Sequence, residues 1–136
     1  MDSIFMVAVL SAALLILISV IARLQNGTKT LNRQYIADSW KEITEMARAS
    51  TKSAQHAVIE ADKLLDYVLR KRAFKGETMG ERLKSAQKVL SNNNNVWQAH
   101  KLRNQLVHEA ESKIAPGQVK QALLGFRQAL KDLKAL

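Results

Sequence analysis

The chain of 136 residues has no cysteine, which excludes a disulfide framework and any thiolate zinc site. Its three histidines, His56, His100 and His108, are scattered and lack the acidic neighbours of an HExxH-type helix, so no metal is expected. A glycine-rich phosphate loop, a nucleophile elbow and a carboxylate pair at acid/base spacing are all missing. Nothing therefore points to a cofactor enzyme, and without a second long apolar run nothing points to a transporter or channel. No stretch alternates like a strand, and there is no internal repeat. Acidic residues are scarce as well, 12 against 21 Lys and Arg, for a net charge of +9. That excess suits RNA or anionic headgroups equally, and it is spread along the chain, so charge alone does not choose.

Residues 4–21, IFMVAVLSAALLILISVI, carry no charge, proline or glycine. Eighteen such residues extend about 27 Å as a helix, close to the hydrocarbon thickness of a bilayer. A cleaved signal peptide is the alternative, with Val20 and Ala22 as small residues before a cut, but the leading MDS is acidic where a signal peptide is basic. A retained single-pass anchor in contact with membrane lipid is therefore expected. Arg23, Lys29 and Arg33 follow the span while Asp2 precedes it, which places the C-terminal region in the cytoplasm. The Asn26-Gly27-Thr28 triplet, a glycosylation acceptor pattern, points the other way.

From Thr30 onward the apolar period is close to 3.6. A first helix is expected over 32–49 with Ile36, Trp40, Ile43 and Ala47 on one side. STKSAQ interrupts it, and a second helix runs to Arg70 with a wide stripe from Ala54 to Leu69. Gly76 is the expected stop. A third helix opens at Glu77 or Thr78 with Met79, Leu83, Ala86, Val89 and Leu90 inward. Asn95 is read as the cap of a fourth helix, and Pro116 as the first turn of a last one that buries Val119, Leu123, Phe126, Leu130 and Leu133. The fold class is all-α, a single transmembrane helix followed by a four- to five-helix bundle. Residues 1–25 are the anchor, 26–31 a linker and 32–136 the bundle.

The fourth helix carries AHKLRNQLVHE, residues 99–109. On a helical wheel Val96, Ala99, Leu102, Leu106, Val107 and Ala110 form an apolar arc with Arg103 inside it. His100, Asn104 and His108 follow one margin, and Glu111 continues the stripe. An arginine on a core face needs a partner, because an unpaired buried charge costs several kcal/mol. Asp62 is the nearest carboxylate by position, with Asp66 one turn on in reserve. Trp40 and Trp97 are expected as core anchors.

Arg103-Asn104-Gln105-Leu106-Val107-His108 resembles the R-x-x-x-x-H signature of HEPN domains, including the polar residue directly after the arginine. These domains are all-helical bundles of similar size with the motif on a late helix, and the resemblance spans residues 35–135 by architecture but only six by motif. Many act as metal-independent endoribonucleases, often with two motifs facing across a homodimer; others are non-catalytic binding or assembly modules. The resemblance implies an RNA- or nucleotide-binding domain with His108 as general base, Arg103 as phosphate clamp and Asn104 orienting His108. His100 would be accessory. The chemistry is coherent, since histidine titrates near neutrality and arginine can hold two phosphate oxygens. Residues five apart, however, lie about 140° apart on a helix. Two functions thus stand side by side: a membrane-anchored nuclease and a membrane-anchored interaction module whose polar residues satisfy one another.

Overall fold

The computed structural model describes residues 2–26, 30–109 and 113–136, as six helices and no strand among them. In chain order they are α1 (Asp2–Asn26), α2 (Arg33–Ala49), α3 (Thr51–Lys71), α4 (Met79–Ala86), α5 (Asn93–His108) and α6 (Pro116–Asp132). The chain is all-α, a five-helix bundle preceded by an apolar helix.

Within α1, Ser3–Ile21 has a mean hydropathy of 3.0 and no buried residue. It is long and apolar enough to cross a membrane, and it makes no substantial contact with the bundle. Two of its serines return their hydroxyls to carbonyls one turn back, Ser11 to Ala8 and Ser19 to Ile16, which keeps both polar groups satisfied inside the helix.

The bundle is organised around α3, whose wide stripe packs against α2, α4, α5 and α6. Ala57, Val58, Ala61, Leu64, Leu65, Val68 and Leu69 are all buried there. The alanines bring neighbouring backbones close, and the leucines fill the space between, each contributing about 1.5–3 kcal/mol when fully buried. Helices α5 and α6 also pack on each other, whereas α2 makes its substantial contact with α3 alone.

Local chemistry sets the helix ends. A single extended residue, Ser50, separates α2 from α3, and its hydroxyl accepts the Ser53 amide at 3.1 Å. The interruption is thus shorter than the STKSAQ composition suggests. Of the two expected openings, Glu77 and Thr78, it is Thr78 that caps α4, in a reciprocal box with Glu81. Pro116 opens α6, where its missing N–H is no loss.

Four expectations are corrected. The cap of α5 is Asn92 rather than Asn95: its Oδ1 accepts the Asn95 amide at 3.1 Å, so the helix begins within the asparagine run. Helix α3 ends before Gly76. Ala73, at φ +61°, takes the left-handed position, with its amide bonded to Arg70 O and the Phe74 amide to Leu69 O. Val89 lies beyond the short α4 and is 50% exposed, and Val107 at the far end of α5 is exposed as well. The same left-handed closure ends α6 at Lys134, φ +56°. Arg72 joins the two endings, its Nε donating to Leu133 O at 3.0 Å and its Nη2 to Lys134 O at 3.3 Å.

Candidate functional site

Helix α5 turns Val96, Ala99 and Leu102 into the core, and that register carries His100 and Arg103 toward α3. On α3, Asp62 lies between Ala61 and Leu65 and is only 3% exposed. A carboxylate so placed must be paired or be strongly destabilising.

Four side chains meet there in a closed ring. His100, 9% exposed, places Nδ1 2.7 Å from Asp62 Oδ1. Asn104 donates from Nδ2 to His100 Nε2 at 3.4 Å, and its Oδ1 accepts from Arg103 Nη1 at 2.8 Å. Arg103 Nε approaches Asp62 Oδ2 to 3.3 Å and completes the circuit. The last approach is an ion pair without a hydrogen bond, since the buried Nε–H has no aligned acceptor.

The ring settles the imidazole's tautomer. Arg103 can only donate, so the oxygen of the Asn104 amide must face it and the amide nitrogen must face His100. His100 Nε2 then accepts, and its proton sits on Nδ1, directed at Asp62. Each member of the ring finds a partner within it, and Arg103 Nε alone lacks an aligned acceptor. Trp97 stands edge-on to His100, ring centroids 6.1 Å apart, and the Trp97 ring in turn covers Gly80 of α4.

The residues singled out by the motif thus separate. Arg103 is half-buried and paired with Asp62, as its place in the apolar arc requires. Asn104 turns to His100 rather than toward His108. His108 is the last residue of α5, exposed, with no side-chain hydrogen bond or ion pair to another described residue. His100, read as accessory, is central. Glu111 and Ala110 lie outside the described residues.

Asp66 belongs to a second polar cluster. It receives both Nε and Nη2 of Arg82, at 2.6 and 3.2 Å, and Arg70 Nη2 at 2.9 Å. Arg82 also donates to Gly76 O at 2.6 Å and so pins the loop between α3 and α4. Arg82 is buried and is not among the residues expected from the sequence, although its position one turn after Met79 and beside Leu83 carries the same sign that marks Arg103.

Two grooves flank these clusters. One, about 270 Å³, lies between α5 and α6 beside Gly117 and Gln121. The larger, about 840 Å³, opens between α2 and α6 and is lined by Trp40, Leu123 and Arg127 among others. Neither is lined by Arg103 or His108. Trp40 and Trp97 are both partly buried against the core, Trp40 forming a groove wall.

Fold and site together define a class: an all-helical bundle with an internal carboxylate–histidine–amide–guanidinium ring, behind a helix of membrane-spanning character. Compared with protein-family models, curated proteins and solved structures, the chain matches none of them.

Proposed function

We propose that the chain is a membrane-tethered interaction module, a non-catalytic domain of HEPN-like architecture held by residues 4–21 with the bundle on the cytoplasmic side. The observation that carries this is the closed ring. A phosphate clamp needs a guanidinium free to receive an anion, but Arg103 already faces the Asp62 carboxylate and donates to Asn104. A general base needs its orienting partner, yet Asn104 serves His100. The ring instead fixes the rotation of α5 against α3, a role for which buried polar residues are suited because only one register satisfies them all.

The test is the full chain reconstituted in liposomes, which preserves any dimer, incubated with single-stranded RNA in EDTA beside His108→Ala. Neither is expected to cleave. Metal-independent cleavage by the parent that His108→Ala abolishes would overturn the proposal and restore the nuclease, with RNA as partner and the homodimer as its site. For the tether, protease added to intact cells should spare residues 30–136. A digested domain, or a soluble one shortened at Ala22, would overturn the orientation or the anchor.

A further inference from the structure

The larger groove belongs to no part of the ring. It exists because α2 leans on α3 without closing onto α6, so the two outer helices stand apart over a floor of small residues such as Ala54. Trp40 from α2 and Val119 and Leu123 from α6 form apolar walls. A volume near 840 Å³ is in the range of small-molecule sites, about 300–1,000 Å³.

Charge is arranged around that slot with one sign. Arg48 of α2 and Lys120 and Arg127 of α6 line it, and no carboxylate among the described residues does. Leu124 lies on α6 between the two cations, one turn from each, and is 48% exposed. An aliphatic side chain held in water between two cations, above an apolar slot, is complementary to an amphiphile with an acidic head.

We propose that this groove binds an anionic phospholipid from the bilayer that holds α1, its phosphate among Arg48, Lys120 and Arg127 and an acyl chain against Trp40 and Leu123. The choice of a lipid rests on α1 being a retained anchor. Six residues, 27–32, separate α1 from α2, a tether of at most about 25 Å that keeps the bundle beside the leaflet. A tethered site also meets its ligand at high effective concentration. The bundle then lies with its α2–α6 face on the membrane.

The test uses the full chain with Trp97→Phe, which leaves Trp40 in the groove as the sole tryptophan, in nonionic detergent micelles. Brominated phosphatidylglycerol is titrated in, with brominated phosphatidylcholine as the zwitterionic counterpart. The acidic lipid should quench Trp40 at a lower mole fraction than the zwitterionic one. Each cation near an anionic surface is worth about five-fold in partitioning, so Lys120→Gln with Arg127→Gln should weaken the acidic lipid by about 25-fold. Both side chains are exposed, so the double variant keeps its fold and its unquenched Trp40 emission. Equal quenching by the two lipids, or no effect of the double substitution, would overturn the inference. In detergent the result does not depend on α1 spanning a bilayer. Release of the parent chain from liposomes by alkaline carbonate would instead refute the anchor, and the two failures are thereby distinct.

Discussion

Replacing Asp62 by alanine should be among the most damaging single changes in the bundle. The carboxylate is 3% exposed and serves two partners, His100 at 2.7 Å and Arg103 at 3.3 Å. Without it the buried His100 Nδ1–H has no acceptor, a loss of about 1–3 kcal/mol. Arg103 loses its counter-charge, but its side chain is 27% exposed and water recovers part of that interaction, so only ~0.5–1 kcal/mol is assigned to it. The sum, about 3 kcal/mol, is at the low end for breaking a buried ion pair, ~3–5 kcal/mol. For a domain of roughly 100 residues this corresponds to a Tm drop on the order of 12 °C or more. Urea unfolding followed by tryptophan fluorescence is a suitable assay, because Trp97 packs edge-on to His100 and reports the ring directly. Glu60→Ala is the control. It removes the same charge from the same helix, but Glu60 pairs with exposed His56 and Lys63, so the expected change is below about 1 kcal/mol. An Asp62→Ala loss no larger than that of Glu60→Ala would show that the ring contributes nothing to stability, and would return Arg103 to the pool of groups available for a ligand.

Three further outcomes are expected. Gly125→Ala should destabilise by about 1 kcal/mol or more despite the gain in helix propensity, because the added Cβ would stand 2.9 Å from Asn95 O where α5 crosses α6. Gly117→Ala, with nothing within 4 Å of its Cβ position, should instead stabilise; thermal melts that rank the two alike would refute the close approach. Ala73→Gly and Lys134→Gly should each raise stability by ~1 kcal/mol in denaturant titrations, since both residues occupy left-handed backbone that glycine adopts without penalty. Burial pulls the Asp132 carboxyl upward, but the Ser91 amide, the Gln128 amide, the Ser91 hydroxyl and Lys134 together hold it below its ordinary value. A carboxyl lowered in the folded state stabilises above its unfolded value, about 3.9, and that contribution is lost as pH falls through the folded value; the stability deficit of Asp132→Asn should therefore be full at pH 7 and vanish in strong acid, and a deficit independent of pH would contradict the shift.

Much of the architecture was decided within short stretches of chain, and the amino-acid sequence by itself determined it. An uncharged run is apolar whatever surrounds it, so α1 was visible at once. The 3.6-residue period of α2, α3 and α6, the Thr78–Glu81 box and Pro116 act over one or two turns and needed no tertiary knowledge. Arg103 was legible for a different reason: a charge on a core face must be paired, and that penalty pointed to Asp62 across 41 residues. What the tertiary structure alone decided depends on how helices rotate and cross. The placement of α5 along α3 chose His100 over His108 as the imidazole that meets Asp62; the two lie on one margin of the helix about two turns apart, so the wheel alone could not separate them. The path of the chain after Ala73 delivered Arg82 to Asp66, and the crossing of α5 and α6 turned Gly125 into a point of contact. Side-chain patterns specify which face a helix buries; which partner lies opposite each residue follows from packing of the whole bundle, where the groove between α2 and α6 also has its origin.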